Sequence, residues 1–303
     1  MEEMAKPALF CYRTGLKFME SKAYQTATIW FLLAIKAVPL ERLGGEGADK
    51  DLNWLPHLQL AVCYDQLQDY RRAFRHNEVV GIHMPNLNSY IANRTYFQEK
   101  LSAGQAQSST AIKLSLLIPS LPERAEHLES LYWQLEPQID GEPVELLIMT
   151  DNRKRTIGAK RNALVEQAQG AYVAFVDDDD RVSPHYVRSL LTAIEQNPET
   201  DCIVFDVQVH MNGSPLKLCK YGLEYEYGMD DHFFYRKPNH LMCHARRNAL
   251  KHKFIDTSYG EDDEWARRLS VDITSQSRVH DTLYHYDWVI KPREWYYAGA
   301  RQQ

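Results

Sequence analysis

The sequence lacks the cysteine spacings that build disulfide frameworks and zinc sites. Its five cysteines are odd in number and scattered, and no two of them stand in a Cys-x-x-Cys motif. Thiols of this kind are typical of proteins in a reducing compartment. We therefore predict free, buried thiols and a cytoplasmic location.

Long apolar stretches are also absent. The longest run, Ile29–Ile35, is much shorter than the roughly 20 residues that a membrane-spanning helix needs. The first residues, Met1-Glu2-Glu3, lack the pattern of a secretory signal peptide. The sequence thus predicts a chain without a membrane span.

There is no excess of basic residues, because 35 Lys and Arg stand against 41 Asp and Glu, with a net charge of −6. Proteins that bind nucleic acid regardless of its sequence are usually basic, so the charge argues against that class while leaving a local basic groove open. The motif G-x-x-x-x-G-K-[S/T] is missing as well. That absence excludes a P-loop nucleotide-binding protein.

The composition is that of a folded chain with more than one domain. Hydrophobic residues make up 44% and charged residues 25% of the 303 positions, as in soluble globular proteins. A polar stretch at 102–112 has no large apolar residue before Ile112 and is predicted to be a linker. It separates an all-helical domain at 1–101 from a second domain at 113–290, which a tail at 291–303 follows.

The first domain repeats a pattern of small and aromatic residues. The same relative offsets recur after Gly15 (Phe18, Tyr24, Ala27) and after Ala61 (Tyr64, Tyr70, Ala73). Small residues at these spacings are typical of tetratricopeptide (TPR) helix pairs, in which two helices approach closely. A TPR-like domain is therefore one interpretation, and a generic amphipathic helical bundle is the other.

The second domain alternates between strand and helix patterns. Short apolar runs at Leu114–Pro119, Val144–Met149 and Ala171–Val176 are separated by amphipathic segments. This order is typical of an α/β fold with a Rossmann-like, mostly parallel sheet. A further helix should begin with Ser183 as N-cap and Pro184 at its first position. Asn212-Gly213 predicts a hairpin that adds antiparallel strands.

Polar residues follow each of the three apolar runs, where ligands bind in open α/β sheets. Pro119, Ser120 and Arg124 follow the first run, Asp151 follows the second, and four consecutive aspartates at 177–180 follow the third. The sequence therefore predicts a site at one edge of the sheet.

The aspartates at 177–180 are the strongest single signal. Alternate side chains of an extended segment share a face, so Asp177 and Asp179 can point together. Consecutive carboxylates repel one another unless a cation lies among them, and oxygen ligands of this kind suit Mg²⁺ or Mn²⁺. The alternative is a solvated acidic turn.

A second motif is Gly-Ala-Lys-Arg-Asn, which begins at Gly158 and includes Lys160 and Arg161. It stands at a predicted helix start, where free N–H groups and basic side chains attract anions. An ordinary basic first turn is the alternative.

A third motif is Gly-Glu-Asp-Asp-Glu-Trp, which begins at Gly260. Ser258 and Glu261 fit a capping box at a helix N-terminus, and acids there suit the helix dipole. Capping explains Glu261, whereas one of the three acids that follow is a candidate catalytic base.

Taken in this order and spacing, the motifs between Lys113 and Tyr286 resemble a family-2-type glycosyltransferase of the GT-A fold. The resemblance implies a nucleotide-sugar donor, with UDP favoured, and Mn²⁺ or Mg²⁺ as cofactor. It also implies that TPR-like helices attached to such a domain recruit partners.

The resemblance further implies roles for individual residues. Asp262 would be the catalytic base, with Arg268 at a helix position that the family often fills with Arg. The donor would be bound by Pro119, Ser120, Arg124, Asp151, Lys160, Arg161, Asp177 and Asp178. Asp177 and Asp179 would form the DxD pair, although Asp180 is an equally possible metal ligand, and His285 would complete the metal site. His240, Asp263 and Trp265 would lie on the acceptor side.

The predicted reaction is a metal-dependent, inverting transfer of a sugar to a hydroxyl group. The acceptor stays open between a saccharide, a protein and a modified DNA base. Two alternative functions also stay open. One is a non-catalytic helical-repeat adaptor with a nucleotide-sugar-binding domain, and the other is a nucleotidyltransferase. The segment Ile118–Pro122 argues against a nucleotidyltransferase, because such enzymes usually carry a glycine-rich phosphate loop early in the chain and this segment is not one.

Overall fold

A computed structural model describes residues 6–43, 49–104 and 111–288 of the chain. The chain forms two compact units that divide between residues 109 and 110. Residues 105–110 of the predicted linker and the predicted tail at 291–303 lie outside the described residues. Residues 102–104 are helical, so the last helix of the first unit continues past the predicted domain boundary.

The first unit is built from helices, as predicted. These are α1 (Pro7–Glu20), α2 (Tyr24–Leu43), α3 (Leu55–Gln66), α4 (Tyr70–His83) and α5 (Asn88–Gly104), with a 3₁₀ turn at Lys50–Asn53. The repeated small and aromatic residues Ala27, Ala61, Tyr64 and Ala73 share one buried cluster with Phe31. A Cβ atom at Gly15 would meet the Phe31 ring at 2.7 Å, so glycine is needed where α1 crosses α2. No helix within the described ranges is long and apolar enough to span a bilayer.

The second unit is an α/β domain. Its first half contains β1 (Leu114–Ser120), α6 (Ala125–Ile139), β2 (Val144–Thr150), α7 (Ile157–Gln167), β3 (Tyr172–Phe175), β4 (Arg181–Val182) and α8 (Tyr186–Gln196). Its second half contains β5 (Cys202–Met211), β6 (Ser214–Tyr221), β7 (Gly228–Met229), β8 (Phe233–Arg236), β9 (Cys243–Ala245), α9 (Arg246–Lys251), α10 (Glu261–Asp272) and β10 (Gln276–Trp288).

One mixed sheet joins these strands in the order β2-β1-β3-β9-β5-β6-β8-β7, and β10 pairs with β4 and β5. β1 runs parallel to β2 and β3, and β10 runs parallel to β5, whereas β6 and β9 are antiparallel to β5. The predicted α/β fold, with antiparallel additions to the sheet and preceding helices, is confirmed. β10 was not predicted.

The antiparallel strand β9 determines which residues reach the edge of the sheet. It lies between β3 and β5, with Ala174 opposite Cys243 and Tyr172 opposite Ala245. The residues just before β9 therefore lie at the same edge as the residues just after β3. This topology brings the segment at 239–242 next to the aspartates at 177–180.

The predicted hairpin at Asn212-Gly213 is confirmed. Both residues have positive φ angles, 50° at Asn212 and 81° at Gly213, and they connect the antiparallel strands β5 and β6. Positive φ at both central residues is what a type I′ turn requires, and Asn followed by Gly tolerates it best.

The predicted start of α8 is wrong by two residues. The helix begins at Tyr186, and Ser183 does not cap it. The Ser183 N–H group instead donates to the Leu283 carbonyl in β10 (2.9 Å). This pairing extends the chain at Ser183 and delays the helix.

All five cysteines are free, as predicted. Cys63, Cys202, Cys219 and Cys243 are buried, and Cys11 is half-buried. Burial raises the pKa of the Cys63 and Cys219 thiols to about 11. These thiols are therefore protonated and unreactive at neutral pH.

The buried His244 in β9 predicts a pH-dependent stability. Its Nε2 atom lies 2.7 Å from the Asn239 carbonyl and is assigned the proton, and Nδ1 is buried without a hydrogen-bond partner. Burial lowers the pKa of His244 from 6.5 to about 4. Between pH 4 and pH 6.5, His244 binds a proton in the unfolded chain but not in the folded chain. The free energy of unfolding therefore rises with pH across this range, by about 3 kcal/mol in total.

We expect His244→Gln to abolish this contribution, because glutamine can still donate to Asn239 but does not titrate. Urea unfolding of both proteins between pH 4 and 7, followed by tryptophan fluorescence, measures the difference. The gap in unfolding free energy between wild type and variant should widen towards pH 7. A gap that is constant with pH would show that His244 does not titrate in this range.

Candidate active site

Asp178 and Asp179 are held by residues that follow β1. Asp178 is buried and accepts hydrogen bonds from the Ser120 hydroxyl (2.6 Å) and from Arg124 Nη1 (2.5 Å). Arg124 Nη2 also lies 3.0 Å from Asp179 Oδ2. Burial raises the pKa of Asp178, although Ser120 and Arg124 lower it. Arg124 thus connects the end of β1 to two of the four aspartates.

Asp180 is anchored to β10. Its Oδ2 accepts from the Tyr284 hydroxyl (2.8 Å) and its Oδ1 accepts from the Asp287 N–H group (2.9 Å). The Tyr284 oxygen in turn accepts from the Asp177 N–H group (3.0 Å). Burial and the charge of Asp177 raise the pKa of Asp180 to about 8. Both carboxyl oxygens of Asp180 therefore already have partners in the protein.

Asp177 lies at the centre of the site. Its Oδ1 accepts from Arg161 Nη2 (3.1 Å), and its Oδ2 lies 3.4 Å from His240 Nε2. Burial acts to raise the pKa of Asp177, but Arg161 and His240 lower it by more, so that it falls well below the ordinary value. Asp177 is therefore an ionised carboxylate at neutral pH.

The Gly-Ala-Lys-Arg-Asn motif places its two cations inside the domain. Lys160 is 2% exposed and contacts the Ser120 carbonyl (2.7 Å) and Asp151 Oδ1 (2.9 Å). Arg161 is 4% exposed, and its Nη1 lies 3.5 Å from Glu261. These side chains pair with carboxylates of the protein, so they are not free basic groups at the surface of a helix.

The N-terminus of α7 does not offer the free N–H groups that we predicted for anion binding. Its first three N–H groups have acceptors in the protein, namely Ser258 Oγ for Ile157 (3.4 Å), the Thr257 carbonyl for Gly158 (3.0 Å) and Thr156 Oγ1 for Ala159 (3.0 Å). A cap residue and the segment before α10 occupy the place where an anion would bind.

The segment at 254–257 is attached to α7 through its main chain. The Asn162 amide donates to the Phe254 carbonyl and accepts from the Phe254 N–H group, both at 2.8 Å. Gly158 contacts the same segment so closely that a Cβ atom there would overlap the Ile255 carbonyl oxygen. Glycine is therefore required at position 158 by close backbone approach.

We expect Gly158→Ala to destabilise the domain by about 1–3 kcal/mol, the usual cost of forcing a methyl group into a packed site. Chemical unfolding measures this change. Gly228→Ala is the matched control, because a Cβ atom at Gly228 would meet no atom within 4 Å. Equal unfolding midpoints for the two variants would contradict the close contact.

The four acids in the first turn of α10 have different partners. Gly260, with φ of 78°, is the N-cap, and the predicted capping box is absent because Ser258 accepts from α7 instead. Glu261 is buried beside Arg161, whereas Asp263 and Glu264 pair along the helix surface with Arg267 and Arg268. Asp262 alone among the four points its carboxylate at His240, whose Nδ1 lies 3.6 Å from Oδ2.

Two residues predicted for the acceptor side lie elsewhere. Trp265 is fully buried, stacks on Phe254 and donates from Nε1 to the His252 carbonyl (2.5 Å), so it belongs to the core. Asp263 is exposed and forms a surface ion pair with Arg267 (2.9 Å). His240 is also not an open surface residue, because it lies buried between Asp177 and Asp262.

The end of β2 contributes Asp151. Its carboxylate accepts from the N–H groups of Arg153 (3.1 Å) and Arg155 (3.2 Å), in addition to its ion pair with Lys160. Pro119 lies in β1 opposite Met149 of β2, next to Ser120. Both predicted donor-binding positions therefore lie at the same edge as the aspartates.

His285 is not brought together with the aspartates. Its Nδ1 lies 3.2 Å from His210 Nε2. Burial lowers the pKa of His285, and its neighbours Arg181 and His210 lower it further. Tyr284 and Tyr286 occupy the opposite face of β10 from His285, because successive residues of a strand face opposite sides. Burial raises the pKa of Tyr286 to about 12, and the negative charges of Asp180 and Asp177 make a smaller contribution in the same direction.

Sequence reasoning missed Tyr284 and Tyr286. The available signal was their two-residue spacing in Leu-Tyr-His-Tyr, which is strand-like and places the two rings on one face. We had singled out only the histidine between them.

Within the described ranges, no group of three or more His, Cys, Asp or Glu side chains is arranged to hold a metal ion. The residues nevertheless offer a ligand of the type that a hard cation prefers, because Asp179 is a partly exposed carboxylate, whereas Asp178 and Asp180 are buried and hydrogen-bonded within the protein. Asp179 is the most accessible of these groups, with 40% of its side chain exposed.

Comparison with known proteins gives a family for part of the chain. Residues 132–257 match the family model described as Glycosyl transferase family 2, and α10 with Asp262 follows this segment. A comparison with curated proteins finds no match.

Among solved structures, the chain is similar to S. aureus TarS 1-349 in complex with UDP-GlcNAc. The two are 14% identical with a TM-score of 0.44, over 59% of this chain and 60% of that chain. The chain is also similar to S. aureus TarS, with 13% sequence identity and a TM-score of 0.42 over 61% of this chain and 38% of that chain. The chain thus matches less than two thirds of the length of either structure.

Proposed function

From the family 2 glycosyltransferase domain that residues 132–257 match, we propose that this chain transfers a sugar from a nucleotide-sugar donor to a hydroxyl group. The observation that carries the proposal is the position of Asp262. Its carboxylate is 40% exposed, so a substrate can reach it, and it lies on the far side of His240 from Asp177. A donor-binding acid and a candidate base thus occupy one site.

The proposed reaction uses Asp262 as general base. The carboxylate accepts the proton of the acceptor hydroxyl while that oxygen forms a bond to the anomeric carbon. The bond from the anomeric carbon to the diphosphate breaks on the opposite face, so the configuration inverts. Negative charge then develops on the departing diphosphate, where electrostatic stabilisation lowers the barrier.

On the donor side, Asp151, Pro119 and Ser120 would line the nucleotide pocket, and Asp177 would contact the ribose. Asp179 would hold Mn²⁺ or Mg²⁺ together with the diphosphate, and the ion would neutralise the charge of that group when bound. Lys160 and Arg161 would act indirectly, by holding Asp151 and Asp177 in place. The preference for UDP rests on the sequence resemblance.

The acceptor would be a saccharide, a protein or a modified DNA base. The helical unit, interpreted as TPR-like, would select among them, because helical repeats form extended binding surfaces. A cytoplasmic location is part of the proposal, since the cysteines are free thiols.

The test uses the full chain with Mn²⁺ or Mg²⁺ and a panel of UDP-, GDP- and dTDP-sugars. Each donor is mixed with oligosaccharides, peptides and hydroxymethylated DNA. We expect release of a nucleoside diphosphate from at least one donor, a mass increase of one sugar on one acceptor class, and loss of both with EDTA. No release from any donor in the presence of all acceptors would support the non-catalytic adaptor.

A further inference from the structure

His240 lies between the two carboxylates that the proposed reaction needs. Its Nε2 is within hydrogen-bond distance of Asp177 Oδ2 (3.4 Å), and its Nδ1, a buried atom that has no hydrogen-bond partner among the described residues, faces Asp262 Oδ2 across 3.6 Å. The side chain is 6% exposed, so the ring itself is closed off from solvent and substrate. Both ring nitrogens are therefore directed at acidic groups of the site.

The backbone around His240 is fixed by Asn239. The Asn239 side chain donates to the Tyr221 hydroxyl (3.5 Å) and accepts from the Leu241 N–H group (3.1 Å). Its carbonyl accepts from the Met242 N–H group (3.1 Å) and contacts His244 Nε2 (2.7 Å). The start of the antiparallel strand β9 thus holds the imidazole in one place at the carboxyl edge of β3.

Among the described residues, none on α10 forms a side-chain hydrogen bond or ion pair with the Asp262 carboxylate. On the helix surface, Asp263 forms an ion pair with Arg267 and Glu264 forms one with Arg268. Glu261, which precedes Asp262, pairs with Arg161. The ionised Asp177 carboxylate on the other side of His240 repels the Asp262 carboxylate, because like charges a few ångströms apart disfavour each other. An attractive partner on the site side is needed to hold it inward, and His240 occupies that position.

We propose that His240 is a positioning residue, which holds the Asp262 carboxylate towards the donor site by bridging it to Asp177. The inference rests on the proposed function, in which Asp262 is the base. His240 does not touch the substrate and exchanges no proton with it. Its effect is on the geometry of the base, and a displacement of about 1 Å in a catalytic group lowers rates by about 10²-fold.

A kinetic double-mutant cycle tests the role in turnover. His240→Gln keeps one N–H donor but cannot reach both carboxylates, so we expect kcat to fall by about 10²-fold while the donor KM changes little. In the background of Asp262→Asn, the same substitution should lower kcat by less than about three-fold, because residues that act as one unit are not additive. His185→Gln is the control, since that exposed histidine lies 3.8 Å from Asp281 in a surface pair.

A second cycle measures the contact without relying on turnover. Urea midpoints of the wild type, the two single variants and the double variant give the coupling between His240 and Asp262. We expect the midpoint shift caused by His240→Gln to be smaller when Asp262 is already Asn.

Additive effects in both cycles, or a rise in donor KM that equals the fall in kcat, would overturn the inference while leaving the proposed function intact. A wild type without turnover on any donor overturns the proposed function, and the role of His240 in turnover falls with it. The two failures are therefore distinguishable.

Discussion

Asp262→Asn is expected to lower nucleotide-sugar turnover by about 10²–10⁴-fold, the usual contribution of a positioned general base. The substitution keeps the size of the side chain and removes the group that accepts the acceptor's proton. The donor KM should stay near the wild-type value, because Asp151 and Asp177 bind the donor in this proposal. Initial rates of nucleoside diphosphate release at varied donor concentration measure both quantities.

Glu264→Gln is the matched control for that experiment. Glu264 belongs to the same helical turn, but its carboxylate is paired with Arg268 (2.6 Å) on the surface. Its removal should change turnover by less than about two-fold, as for other surface ion pairs. Near-normal turnover in Asp262→Asn would remove Asp262 from the mechanism.

Arg161→Met is expected to lower the unfolding free energy of the α/β domain by about 3 kcal/mol, the lower end of the cost of breaking a buried ion pair. Methionine fills similar space between the rings of Phe175 and Phe254, so packing changes little. The loss comes from Asp177 and the buried Glu261, which no longer have the guanidinium that stabilises their charged forms. Urea unfolding at neutral pH measures the change.

Arg267→Met provides the comparison for Arg161→Met. Arg267 is 72% exposed and pairs with Asp263 at a distance of 2.9 Å, close to the 3.1 Å between Arg161 and Asp177. A surface pair of this geometry contributes about 0–1 kcal/mol. Equal destabilisation by the two substitutions would show that the burial of Arg161 is not what makes it important.

The first three strands of the sheet followed from hydrophobic patterning, because β1, β2 and β3 are short apolar runs with turn residues at their ends. The hairpin at Asn212-Gly213 was predictable for the same reason, since a two-residue turn is a local feature. The start of α8 was not, because Ser183 is engaged by Leu283, a hundred residues away in the sequence. Local signals fail where a distant strand competes for the same N–H group.

The site was predictable as a set of residues but not as a set of contacts. Lys160 and Arg161 were expected to attract anions, and the anions that they meet are side chains of the protein itself. Trp265 was assigned to the acceptor side because it directly follows the four acids in the sequence. In a helix, however, the residue after a surface acid can face the core, as Trp265 does. Helical periodicity decides that orientation, because Trp265 stands one turn after the buried Glu261 and so shares the helix face that packs into the core.

The attachment of the segment at 254–257 to α7 has a consequence for engineering. The Asn162 side chain hydrogen-bonds the main chain of Phe254, and Gly158 packs against the main chain of Ile255. The local path of the chain therefore does not depend on the side chain at position 255. Ile255 and Tyr259 are 40% and 89% exposed. A combinatorial library at these two positions can vary shape and polarity a few residues before Asp262 without disturbing its scaffold.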